Sequence, residues 1–93
     1  MNITVRFYGI AYDYTEIREW CIEMKNNVVV MDLLIMIVDK FPAMRDLVYD
    51  ENGTYREYLA VSINNVDILG LDGVNTVLSE GDMFFVMPPI GGG

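Results

Sequence analysis

Ninety-three residues make a single domain, since so short a chain has no room for a second core. Hydrophobic residues at 53% against charged residues at 22% exclude a disordered chain, and a formal charge of -8 argues against nucleic acid as a partner. With no histidine and one cysteine, the commonest general base, an internal disulfide framework and a cysteine-rich metal site are all excluded, so the composition points away from a self-contained enzyme.

Residues 2 to 8 alternate. Ile3, Val5 and Phe7 fall on one face and Asn2, Thr4, Arg6 and Tyr8 on the other, the two-residue period of a half-buried strand. After Gly9 the chain reads as irregular through Tyr12-Asp13-Tyr14-Thr15. Alternation resumes with Trp20, Ile22 and Met24 opposite Glu19, Cys21 and Glu23, a second strand followed by turn chemistry at Lys25-Asn26-Asn27. The period then lengthens to that of a helix. Val30, Leu33, Leu34, Ile37, Val38 and Phe41 form one amphipathic stripe, Pro42 stops it, and Asn27 is the nearest good capping residue. Met31, Ile35 and Met36 on its outer face are expected to contact neighbouring loops; a partner surface is the sharper reading.

Asp50-Glu51-Asn52-Gly53 is a strong turn signal. Tyr58 to Ile63 alternates with Leu59, Val61 and Ile63 on one side, and Asn64-Asn65 turns the chain into a short strand, Val66 to Ile68. Leu71-Asp72-Gly73 and a Ser79-Glu80-Gly81-Asp82 turn lead to the last strand, Met83 to Met87, which Pro88-Pro89 ends. The order is in essence β-β-α-β-β. A hairpin followed by a long helical crossover predicts an α+β fold, a mixed sheet with one main helix packed on one face, which is the β-grasp arrangement of ubiquitin-like domains. Residues 1–87 are expected to form that domain and 88–93 a flexible tail.

The longest apolar stretch, Val28 to Val38, is interrupted by Asp32 and falls well short of the roughly 20 residues that span a bilayer. The opening residues lack the basic and continuously apolar regions of an export signal, and a free cysteine suits a reducing compartment. A cytoplasmic location without membrane contact is therefore expected.

Candidate chemistry is sparse. The carboxylates are scattered over turns and outer faces, with no pair at metal-ligand spacing. A catalytic thiol needs a positive neighbour, a helix N-terminus or a histidine base, whereas Cys21 lies between Glu19 and Glu23, so it reads as structural. Strand parity is more informative. If Phe84 and Val86 face the core, Phe85 and Met87 face outward, with Tyr8 placed to lie beside them. Such an apolar patch reads as an interaction site, the alternative being a loop that covers it.

The ending Ile90-Gly91-Gly92-Gly93 follows a strand and a stiff Pro-Pro, so it leaves the fold in a defined direction, although glycines there can also be mere disorder. Glycines thread a narrow channel where any Cβ would clash, and four residues reach at most about 14 Å. The group such a tail would deliver is the α-carboxylate of Gly93.

Several segments carry a more specific likeness. Asp32-Leu33-Leu34, Lys40-Phe41-Pro42 and Arg45-Asp46-Leu47, then Ile63-Asn64-Asn65, Leu71-Asp72-Gly73, Thr76, Leu78, Gly81-Asp82 and the Pro88-Pro89-Ile90-Gly91-Gly92-Gly93 ending resemble the MoaD/ThiS family of ubiquitin-like sulfur carriers. The likeness covers about residues 2 to 8 and 28 to 93 and is nearest to the small subunit of molybdopterin synthase. Residues 9 to 20 lack the family's Arg-Glu-Leu-Ala-Gly-like stretch, and Asn65 stands where a turn glycine is common.

The resemblance implies a chain that is not an enzyme by itself. A ubiquitin-activating-type (MoeB-like) adenylyltransferase, using ATP and Mg, would adenylate Gly93 at the end of the Gly92-Gly93 pair. Sulfur from a donor enzyme would then replace AMP. The resulting thiocarboxylate would serve a MoaE-like large subunit in molybdenum- or tungsten-cofactor synthesis, with no cofactor bound by the carrier. Tyr8, Phe85, Met87, Pro88, Pro89, Ile90 and Gly91 would form the partner-binding surface. Two other readings stay open: a protein modifier joined through Gly93 to lysines of targets, and a non-covalent interaction module.

Overall fold

The structure is a computed structural model and describes residues 1–56 and 59–87, apart from the side chain of Met87. Strand β1 (Asn2–Phe7) pairs antiparallel with β2 (Glu19–Glu23), and helix α2 (Val30–Lys40) follows. Strands β3 (Ala60–Ile63) and β4 (Val66–Asp67) form a hairpin, and β5 (Met83–Met87) closes the sheet. The spatial order is β2-β1-β5-β3-β4, with β5 parallel to β1 and antiparallel to β3. This is the mixed five-stranded sheet and packed helix of the β-grasp.

One face of the sheet carries the core. Ile3, Val5 and Phe7 on β1, Val61 and Ile63 on β3, and Phe84 and Val86 on β5 are all buried, and Leu33, Leu34 and Ile37 of α2 pack into the same cluster. Each such side chain contributes about 1.5–3 kcal/mol by leaving water. Phe41 lies half-buried between two strands' aromatics, edge-on to Phe7 at 5.5 Å and to Trp20 at 5.5 Å. Val38 is likewise partly buried against the core, so the whole predicted stripe faces inward.

Several local expectations are corrected. The stretch read as irregular contains a helix, α1 (Ile10–Thr15), entered through Gly9 at φ 57, ψ -133, a combination that side-chain-bearing residues rarely adopt. Six residues with two tyrosines and a threonine carry no helical signal of their own. Burial of Ala11 in the core, with Tyr12 packed against it, holds the turn; locally Thr15 Oγ1 donates to the Ala11 carbonyl at 3.0 Å and Arg18 lies over the Tyr12 ring at 4.6 Å. Asn27 is not the cap of α2; it turns the chain at φ 65, and Val29 takes the cap position. Valine has no side-chain acceptor, so the capping is one-sided: Asp32 Oδ2 accepts the Val29 N–H at 2.8 Å.

The outer face of α2 divides. Met31 is half-buried under the Tyr49 hydroxyl, but Ile35 is 52% exposed and Met36 37% exposed, so no loop among the described residues covers them. Together with Met24 and Val28 they line an open groove of about 460 Å³. After α2, Pro42 opens a short 3-10 turn leading into α3 (Arg45–Val48). Strand β3 is described from Ala60, its expected start at Tyr58 lying outside the described residues, and β4 ends at Asp67 because Ile68 begins a 3-10 turn. The Asn64-Asn65 turn holds, with φ 52 and φ 69, both in the left-handed region.

Candidate functional site

The face of the sheet turned away from α2 is built by strand parity. In the β1–β5 register Val5 lies beside Phe84 and Phe7 beside Val86, both β5 side chains being 0% exposed. The residues between them must then point the other way. Phe85 has Arg6 of β1 as its register partner on one side and Ser62 of β3 on the other, and it is half-buried. Tyr8 extends the outer row of β1. Its N–H donates to the Val86 carbonyl at 3.2 Å, which keeps the chain beside β5 for one residue past the strand.

Tyr8 and Phe85, placed together by parity, do meet. Their rings stack with centroids 5.8 Å apart and 16° between planes, and Tyr8 remains 37% exposed. Offset stacking of this kind adds about 0.5–1.5 kcal/mol beyond area burial and fixes both rings as one flat platform. Met87 belongs to the same row by its backbone pairing with Ala60, but its side chain is outside the described set. Pro88, Pro89, Ile90, Gly91, Gly92 and Gly93 also lie outside the described residues.

Cys21 lies as the alternation predicts, exposed with Glu19 and Glu23 on either side of it along β2, and its Sγ lies 3.9 Å from Thr4 Oγ1. One feature of this face was not legible. Arg6 stands between Glu19 on β2 and Phe85 on β5, and its Nε is buried without a hydrogen-bond partner. The one available signal for Arg6 was its place between Thr4 and Tyr8 on the outward side of an alternating strand. Among the described residues no three acidic, cysteine or histidine side chains group to hold a metal ion, and no helix is long and apolar enough to cross a membrane.

The architecture places the chain in the β-grasp, ubiquitin-like class. No family model and no curated protein matches the sequence. Solved structures match its shape. SAMP1 from Haloferax volcanii is 18% identical, with all of each chain covered and a TM-score of 0.88. Urm1 from Trypanosoma brucei is 23% identical over 99% of this chain and 95% of its own, with a TM-score of 0.79. A Pyrococcus furiosus protein provisionally assigned as molybdopterin converting factor, subunit 1, is 20% identical over 96% of this chain and 98% of its own, with a TM-score of 0.77. The resemblance to MoaD/ThiS-like carriers is therefore present at the level of the fold.

Proposed function

We propose that this chain is a carrier activated at its C-terminal carboxylate: a partner adenylates Gly93, a sulfur donor converts it to a thiocarboxylate, and that sulfur is passed on. What supports the reading is the Tyr8–Phe85 platform at the end of β5, directly before a Pro-Pro-Ile-Gly-Gly-Gly ending, in a fold shared with a protein assigned to molybdopterin conversion. Parity and glycine content would then divide the labour. The platform docks; the tail, free of Cβ atoms over its last three residues, enters the partner's channel.

The chemistry follows from the electronics of the carboxyl group. A carboxylate is a poor electrophile until one oxygen becomes a leaving group, and AMP transfer from ATP supplies that leaving group. Sulfide then displaces AMP, leaving a sulfur that is ionised and nucleophilic at neutral pH. ATP and Mg belong to the partner, and the carrier contributes position. Supply of sulfur to a MoaE-like synthase subunit is the finer reading we favour.

A second reading has its own support. SAMP1 of Haloferax volcanii is described as a small archaeal modifier protein, and its fold matches over nearly the whole of this chain. As a modifier the activated Gly93 would meet a lysine amine in place of sulfide. The mass of the native C-terminal peptide separates the two. Sulfur for oxygen adds about 16 Da to a free C-terminal peptide. A modifier yields instead a branched lysine conjugate, and an unmodified peptide from every preparation would remove both.

A further inference from the structure

We propose that the free edge of β2 is a docking site for an extended segment of a partner protein in which basic and apolar residues alternate, and that this segment joins the sheet as a further strand. In the order β2-β1-β5-β3-β4 the outer strands are β2 and β4, and β4 has only 2 residues. The pairing with β1 shows where the β2 backbone groups point. The Met24 N–H donates to the Met1 carbonyl at 2.7 Å, and the Arg18 carbonyl accepts the Phe7 N–H at 3.0 Å. Bonding groups change sides at each residue of a strand. Trp20 and Ile22 therefore also aim theirs at β1, while Glu19, Cys21 and Glu23 aim theirs away from the sheet. All three of these residues are exposed, and among the described residues nothing bonds to their main-chain groups. Such a row of open donors and acceptors is a template for strand addition.

The side chains select the occupant. Glu19, Cys21 and Glu23 share the sheet face turned away from α2, and neither carboxylate holds a hydrogen bond or ion pair among the described residues. Arg6 lies beside Glu19 on the inner side only, and Glu23 has the neutral Asn2 there. An added strand sets its own residues directly beside Glu19 and Glu23 on the outer side, where opposite charge is favoured and like charge is not. A second copy of this chain, paired antiparallel about Cys21, would bring Glu19 of each copy against Glu23 of the other. The edge thus rejects itself and accepts lysine or arginine. On the helix side the requirement is apolar. Trp20 and Ile22 are half-buried, and the groove of about 460 Å³ continues their surface from Met24 across to Val28, Ile35 and Met36 of the α2 segment. Side chains of the added strand on that side leave water by entering it.

The test is titration of the isotope-labelled full chain with a blocked peptide of about seven residues that alternates lysine with valine, followed by amide hydrogen exchange. At saturating peptide the Cys21 and Glu23 amides are expected to gain at least about 10-fold protection, while the Ile22 amide, already bonded to β1, changes little. Methylating the peptide nitrogens that face β2 keeps its charge and removes its hydrogen bonds, and is expected to abolish binding; so is replacing its lysines with glutamate. Glu19→Lys combined with Glu23→Lys is expected to weaken binding at least about 10-fold, with a melt to check folding. Should that variant not fold, the three peptides decide the matter on the native chain. Equal binding by the methylated or the glutamate peptide overturns the proposal, as does binding without protection at Cys21, or no saturable binding of the lysine peptide up to about 1 mM. Concentration-dependent dimerisation abolished by Cys21→Pro, which removes only an outward N–H, would make the occupant a second copy and also overturns it. None of these readouts involves Gly93, so activation at the tail stands or falls separately.

Discussion

Asn64 and Asp82 lock the β3–β4 turn to the start of β5: the Asn64 carboxamide donates to Asp82 Oδ1 at 2.9 Å, while its oxygen accepts the Met83 N–H at 2.9 Å. The same aspartate closes its own turn, Oδ2 accepting the Ser79 N–H at 2.7 Å. The first residue of β5 is thus held before the strand runs, and the Ser62–Phe85 register downstream follows from it. The lock fixes where β5 begins, and the burial of Phe84 and Val86 then turns Phe85 outward.

Asn64→Asp tests that lock. The substitution removes the donor and sets a second carboxylate against Asp82, while aspartate still tolerates the left-handed backbone at φ 52. The site is exposed, so the expected loss is modest, about 1–2 kcal/mol, seen as a lower urea midpoint at unchanged slope. Part of it should return at high salt as the repulsion is screened. An unchanged midpoint would mean that the backbone ladder alone holds the register.

The two phenylalanines of β5 should behave oppositely. Phe84→Ala empties a fully buried site and is expected to cost about 3–5 kcal/mol. Phe85→Ala is expected to cost clearly less in stability, yet to weaken partner binding by about 2 kcal/mol if the stacked pair anchors the complex. Thermal melts and calorimetry on both variants read the two quantities separately. Equal destabilisation with binding intact would reverse the assigned role of the outer face.

Cys21→Ser is expected to retain full thiocarboxylate formation with a cognate activating enzyme. The thiol is exposed, flanked along its strand by Glu19 and Glu23, and Thr4 Oγ1, which lies 3.9 Å from it, is no base. Intact mass after reaction checks this. A folded Cys21→Ser protein without the added sulfur would show that the cysteine takes part.

Removal of Gly93 separates fold from function. The described core runs from Ile3 to Val86, so the melting temperature should not move. Adenylation should nevertheless be lost, because the carboxylate would sit one residue, about 3.5 Å, short of the partner's nucleotide. Even a 1 Å misplacement can cost about 100-fold in rate. Gly92→Val should bind the partner and react slowly, since a branched side chain obstructs a channel shaped for glycine. Pyrophosphate exchange is the readout, and equal exchange by the truncated chain would leave the tail without its proposed role.

Much of what nearest neighbours along the chain govern was legible in the sequence, although the cap of α2 reads as Asn27 and lies at Val29. The alternation of Ile3, Val5 and Phe7 predicts a strand and its buried face; the stripe from Val30 to Phe41 predicts the helix; Phe84 and Val86 against Phe85 predict which rings turn outward. Steric limits on each backbone step and the partition of apolar side chains from water act locally, so a window of residues contains the information. The Tyr8–Phe85 meeting was readable for the same reason, once β1 and β5 were taken as neighbours.

What only the tertiary structure decided depends on segments far apart. Helix α1 is too short to be stable alone and forms because Ala11 is buried in the core and Tyr12 packs against it. Asn2 meets Glu80 across 78 positions of sequence, its N–H reaching the carboxylate at 2.9 Å. Arg6 is left with an unpaired Nε because β5 brings Phe85, an apolar ring, to its side while Glu19 on β2 does not supply the missing acceptor. No local rule encodes that outcome: it arises from chain closure, in which β5 slots between β1 and β3 and the burial of Phe84 and Val86 overrides the hydrogen-bonding needs of a single guanidinium.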